Sequence, residues 1–252
     1  MPDQLWFTAI LNRVFAEAAT AILRVLHIEP RYPQAPISNT FAMEVLVALL
    51  LVTLFLLLRT RLSVDSPSAL QHIFESTEGF VVSQSREIIG HGSEKYTAFF
   101  AILFLFILFC NLIGLVPGFE SPTMSPVVPL GCAICAFFYY HAQGVKHSGP
   151  AYALHFFGPP MEGMPIIARI LLAALMLPIE IVSHAARLLS LTVRLWANMF
   201  AGELVTLVFF SLVPIAVPVI FISLHLGVAF LQAYVFMLLS IIYVSGAVAE
   251  EH

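Results

Sequence analysis

Charged side chains are what this chain has least of: 11 Lys and Arg and 15 Asp and Glu in 252 residues, 10% in all, against roughly 25% in an ordinary soluble domain. With 60% hydrophobic residues and a mean hydropathy of +0.95, that shortage excludes a soluble globular protein and makes this an integral membrane protein. Cysteine is scarce too. Cys110, Cys132 and Cys135 all fall in apolar stretches, which excludes a disulfide framework, and the Cys132-x-x-Cys135 pair has no second pair to complete a metal site. The net charge of −4 is spread thinly with no basic block, so nucleic acid is not an expected partner. No G-x-x-x-x-G-K-[ST] phosphate loop occurs, so nucleotide chemistry and its cofactors are not expected on this chain.

What is present is a series of apolar runs. Within residues 1–30, Phe7, Ile10, Leu11, Val14, Phe15, Ala18, Ile22, Val25 and Leu26 share one face, while Arg13, Glu17, Arg24 and His27 share another. That pattern predicts an interfacial amphipathic helix, retained and not cleaved as a signal. Spans follow at about 41–58, 96–116 and 127–140. Between the first two, Ser66-Pro67 opens an amphipathic segment with Leu70, Ile73, Phe74, Thr77, Phe80 and Val81 on one side and Gly90 and Gly92 at its end, expected to lie on the membrane. The proline-rich loop after residue 116 lacks Lys and Arg. The positive-inside rule therefore puts that loop and the amino terminus outside, and the loops holding Arg59 to Lys95 and Lys146 in the cytoplasm.

Two long stretches close the chain. The run from Met164 to about Phe210 would reach ~70 Å as one helix, more than twice the hydrocarbon thickness. It must tilt steeply, bend near Pro178, or be two spans. The last, from about Val213 to Val248, would reach ~50 Å. The fold class expected is all-α: a polytopic membrane protein with an N-terminal amphipathic helix and about five to six membrane helices, the last two long and strongly tilted.

Polar residues concentrate in these two stretches. On an ideal helix Glu180, His184, Arg187, Leu191, Arg194 and Asn198 fall within about 40° of one line. Interhelical hydrogen bonds are the bland explanation; an ion or proton path is the functional one, since an arginine at the bilayer centre costs roughly 2.5 to 3.5 kcal/mol and needs a reason. Glu203 points to the opposite side. An antiparallel turn at Val213-Pro214 pairs positions whose numbers add to about 427, which brings Arg194 level with Gln232 and Glu203 level with His225. Outer groups (Glu203, His225) and an inner one (Glu180, ~21 Å along the helix) then flank a fixed positive charge. A secondary transporter is a rival reading, but no internal repeat is visible. A serine hydrolase is another, but Ser245 lacks a G-x-S-x-G setting.

The run RLLSLTVRLWANMFAGELV (187–205), the preceding Ile179-Glu180, FCNLIGLVPG (109–118) and the ending LQAYVFMLLSIIYVSGAVAEEH strongly resemble the subunit a family of bacterial F-type ATP synthases, from about residue 39 to the end. Trp196 and Ala197 stand where Phe and Gly are usual, and Leu188 where Pro is common. Gly114 replaces an acid that some relatives carry, leaving Asn111 as the local polar group.

The resemblance implies a single membrane domain over 1–252, with an interfacial segment at 1–38, peripheral spans and an amphipathic loop helix at 39–160, and a proton-conducting hairpin at 161–252. It implies a stator that catalyses nothing alone. Its partners would be a rotating ring of carboxylate-bearing subunits (subunit c), the peripheral stalk subunit b and the catalytic ATP synthase sector, in a bacterial inner membrane. Arg194 would favour the ionised ring carboxylate. Glu203 and His225, helped by Asn198 and Gln232, would feed protons from outside. Glu180, with Ser183 or His184 nearby, would pass them to the cytoplasm, while Arg187 and Asn111 are secondary candidates.

Overall fold

The computed structural model describes residues 4–25, 27, 32, 35–63, 66–116, 118–149, 152, 166–212 and 216–248, and among them every regular element is helical. The helices are α1 (Trp6–Val25), α2 (Asn39–Thr60), α3 (Ala69–Ile89), α4 (Glu94–Ile113), α5 (Val127–Ser148), α6 (Ile166–Leu212) and α7 (Ala216–Val248), with a short 3-10 turn at Pro122–Met124. Five of them, α1, α2, α4, α6 and α7, are long and apolar enough to cross a membrane. α5 falls outside that group because its second half carries His141, Gln143, Lys146 and His147, but it packs against both α6 and α7.

Helix starts follow local chemistry. The Ser38 hydroxyl caps α2 by accepting from the Phe41 N–H, and Ser68 caps α3 by accepting from Gln71 N–H. α3 ends at Gly90, whose φ of 86° suits glycine. Its face divides. Val81 is fully buried, and Phe80 meets Phe104 of α4 and Tyr234 of α7, whereas Leu70 and Ile73 stay exposed in keeping with a membrane surface. Tyr234 donates to Gln84 Oε1 and Ser245 to Ile88 O, both 3.1 Å, tying α7 to α3.

α1 buries a small uncharged stripe, while Arg13, Glu17 and Arg24 of its charged face stay exposed. Thr8 and Asn12 are enclosed; Asn12 Nδ2 donates to Ile37 O and its Oδ1 accepts from Ile37 N–H, each at 3.0 Å. Ile10, Val14, Phe15, Ile22 and Val25 face outward, where lipid can cover them.

α4 and α7 form the centre. Phe100, Ile107, Cys110, Ala229, Ala233, Met237 and Ile241 are all fully buried in one core with Leu191, Leu195 and Met199 of α6. The small residues Ala229 and Ala233 let the backbones approach closely. α6 is a single helix of 47 residues despite Pro178 within it, so two separate spans are ruled out. At ~70 Å for α6 and ~50 Å for α7, both must incline strongly to keep their apolar lengths within ~30 Å of hydrocarbon. The two run antiparallel: Gly202 meets His225, Arg187 lies over the Tyr243 ring, and Phe209 stacks on Phe221. Those pairs add to 427 or 430, the register expected from the sequence; the turn itself, with Val213 and Pro214, lies outside the described residues.

Candidate functional site

Arg194 stands on an exposed face of α6. Its Nη2 donates to Ser190 Oγ at 3.3 Å, one turn back, and no acid among the described residues pairs with it. The polar stripe of α6 is thus split by its neighbours. His184 and Leu191 are buried, Glu180 and Arg187 half-buried, and Arg194 and Asn198 exposed. The cause is coverage: α5 packs over α6 at His184, and nothing among the described residues covers the helix at Arg194. Gln232 is level with Arg194 by register but is buried in the bundle at 5% exposure, and no hydrogen bond joins the two.

Toward the turn of the hairpin, His225 is 7% exposed and its ring rests on Gly202. A Cβ at 202 would stand 2.8 Å from the imidazole Cε1, so glycine is what allows the ring this close to α6. Glu203 is half-buried beside it, with no ion pair to His225. Its electrostatic neighbour is Glu120, an exposed acid of the loop between α4 and α5 that sequence reasoning did not single out. The only available signal was a lone carboxylate in a proline-rich loop without basic residues.

Asn111 is fully buried and engaged at both ends. Its Nδ2 donates to Ala229 O at 3.1 Å, and its Oδ1 accepts from Thr123 Oγ1 at 2.7 Å. Ser121 Oγ, 2.7 Å from Thr123 Oγ1, donates to Cys110 O. Asn111 therefore clamps α4 and the 121–124 turn to α7 between His225 and Gln232. No side chain fits at Gly114, where a Cβ would lie 2.6 Å from Ser121 Cβ. Asn111→Leu removes the bonds to Thr123 and Ala229, whose hydroxyl and carbonyl keep Ser121 and the α7 backbone as partners, at about 1 kcal/mol per lost hydrogen bond. The expected result is a complex that loses activity at lower temperature, read by thermal inactivation of detergent-extracted enzyme.

The other end of α6 holds the denser cluster. His184 Nδ1 is 2.6 Å from Tyr140 Oη, and His184 Nε2 is 3.3 Å from Glu180 Oε1. His141 Nδ1 is 2.8 Å from Tyr152 Oη, and the His141 and His184 rings are 4.8 Å apart. Burial pushes the Tyr152 phenol above its usual value, so its hydroxyl stays protonated. The Arg187 guanidinium lies 5.3 Å from the centre of the Tyr243 ring. A cavity of about 220 Å³ is lined by Tyr140, Tyr152, Glu180, His184, Arg187 and Tyr243, large enough for several waters. Ser183 is half-buried and does not line it. Tyr140, His141, Tyr152 and Tyr243 were not singled out from the sequence, although Tyr139-Tyr140-His141 closing an apolar run was a legible sign.

Chemically, the structure presents two sets of titratable groups separated along α6 by Arg194, a cation with no acid partner among the described residues. Comparison with known proteins fits this layout. Residues 41–245 match the family described as ATP synthase A chain. The ATP synthase subunit a of Koribacter versatilis is 50% identical over 253 residues, covering 100% of both chains. That of Solibacter usitatus is 52% identical over 244 residues, covering 96% of this chain and 100% of the relative. ATP synthase subunit a 1 of Syntrophotalea carbinolica is 41% identical over 207 residues, 82% of this chain and 84% of the relative. A multi-pass membrane protein with this helical hairpin, matched along its whole length by such relatives, belongs to the ATP synthase subunit a family.

Proposed function

We propose that this chain is the proton-conducting stator of an ATP synthase membrane sector, working through two offset half-channels. The observation that carries the reading is Arg194: a permanent charge on an uncovered face of a membrane helix, between two clusters of titratable groups. A guanidinium does not remain against lipid without compensation. Its natural counter-charge is a carboxylate on a partner, here a rotating ring of subunit c hairpins. Arg194 holds an arriving ring carboxylate ionised and expels its proton to the inner cluster.

The outer path takes protons past Glu120 to Glu203 and His225, with Asn198 beside the ring and Gln232 behind it. Glu180 and His184, bordering the 220 Å³ cavity, form the inner path, with Arg187 held by Tyr243 as its wall. Asn111 shapes the outer path by holding α7 in place. Each proton crossing 100 mV yields ~2.3 kcal/mol, so several are needed per ATP. The chain is one membrane domain: residues 1–38 interfacial, 39–160 peripheral, 161–252 conducting. Subunit b and the catalytic sector complete the assembly, which resides in the bacterial inner membrane with the amino terminus outside and the carboxyl terminus in the cytoplasm.

ATP-driven pumping by the assembled complex in inverted vesicles tests the inner path. Glu180→Gln is expected to lower the rate by about tenfold or more, as loss of a proton-transfer group does. Unchanged pumping would leave the cytoplasmic side to water alone.

A further inference from the structure

Arg187 and Glu180 border the same cavity at the inner end of α6, yet among the described residues no acid pairs with Arg187. Two helical turns apart, they lie within about 20° of one line and ~10.5 Å apart in rise, with the open cavity between them. Helical side chains lean toward the N-terminus of their helix, which for Arg187 is the direction of Glu180. The guanidinium is instead turned onto α7, where its Cζ lies 5.3 Å from the centre of the Tyr243 ring. An aromatic face attracts a cation without neutralising it. Tyr243 is itself held in place: its ring is 6.0 Å from that of the buried Tyr140, and Ile241 and Val244 on either side of it are fully enclosed. The other titratable groups near the guanidinium are Tyr140, His141, Tyr152 and His184, none of them an acid that competes with Glu180 for it.

We infer that Tyr243 is a positioning residue of the inner proton path: its ring holds the Arg187 guanidinium to one side of the cavity and so keeps Glu180 from being locked in an ion pair. The inference rests on the two-path reading above. A carboxylate that relays protons has to take one up and give it back. A cation within ~4–6 Å makes that uptake about ten- to a thousandfold less favourable. At Arg194 the effect is useful, because the ring carboxylate has to be stripped of its proton there. At Glu180 the same effect would stall the relay. Two arginines on one stripe of α6 thus have opposite settings, Arg194 on an uncovered face and Arg187 against an aromatic ring. Tyr243 supplies that difference from the neighbouring helix.

Tyr243→Leu removes the aromatic face, and Tyr243→Phe keeps it. In inverted vesicles the medium is the cytoplasmic side, so ATP-driven pumping by the assembled complex reads proton uptake through this path. Tyr243→Leu is expected to lose about tenfold, the lower end of the effect of a cation on a carboxylate. Tyr243→Phe should recover most of that rate. In an Arg187→Gln background, where no cation remains to hold, Tyr243→Leu should cause no further loss. Equal losses in both backgrounds, or a Tyr243→Phe complex as impaired as Tyr243→Leu, would reduce Tyr243 to packing and overturn the inference. Pumping abolished by Arg187→Gln alone would make the guanidinium a working group of the path and overturn it as well. Wild-type pumping by Tyr243→Leu beside an impaired Glu180→Gln would also overturn it while the two-path reading stands. If Glu180→Gln pumped normally too, the inner path itself would fall.

Discussion

Vesicles carrying an assembled Arg194→Ala complex are expected to lose ATP-driven proton pumping while passive proton leak is retained or increased. The guanidinium stays charged at any physiological pH. A cation within ~4–6 Å lowers a carboxylate pKa by about 1–3 units, which is ~1.4–4 kcal/mol or about ten- to a thousandfold in the ratio of ionised to protonated carboxyl. Without Arg194 a ring carboxylate passes the stator still protonated, and rotation no longer forces release. The same cation repels a proton moving straight from the outer to the inner cluster, so its removal opens that route. The exposed setting of Arg194, bonded among the described residues only to Ser190 Oγ at 3.3 Å, makes alanine there a small structural change. Chain folding should be unaffected, and normal ATP hydrolysis by the complex would verify assembly.

Glu203→Gln should slow coupled proton flow by about tenfold or more. The substitution preserves size and removes the exchangeable proton, so the half-buried site should repack without strain. His225→Ala should act in the same direction for a different reason. The ring fills the space above Gly202 and is 7% exposed, so its loss removes a proton carrier and also loosens the contact between α6 and α7. Glu120, the carboxylate that Glu203 senses from the adjoining loop, offers an alternative donor from the outside. Its presence predicts that Glu203→Gln retains measurable residual flow. Full pumping in both Glu203→Gln and His225→Ala would remove this pair from the path.

The architecture was largely legible because it depends on local periodicity and chain length. The antiparallel register came from a single turn position and is met by Gly202 with His225 and Arg187 with Tyr243. Arg194 stood out because an ionised group in an apolar run has no local explanation. What the sequence hid is the coverage of each face. An ideal helix puts His184 and Arg194 on one line, yet one is sealed by Tyr140 and the other is open. That difference is set by α5, 44 positions away from His184 in the chain, and no periodicity within α6 records it. Asn111 likewise read as a secondary polar group of a path, whereas its amide is used at both ends to bind Ala229 and Thr123.

The most direct test of a barrier between two half-paths is passive proton leak in the Arg194→Ala complex with and without Glu203→Gln. If leak in Arg194→Ala runs through the outer cluster and across the vacated position, the double variant Arg194→Ala/Glu203→Gln should leak several-fold less, returning toward the wild-type level. Leak that is equal in the single and double variants, or an Arg194→Ala complex that pumps normally, would contradict the account and return the polar stripe of α6 to a structural role.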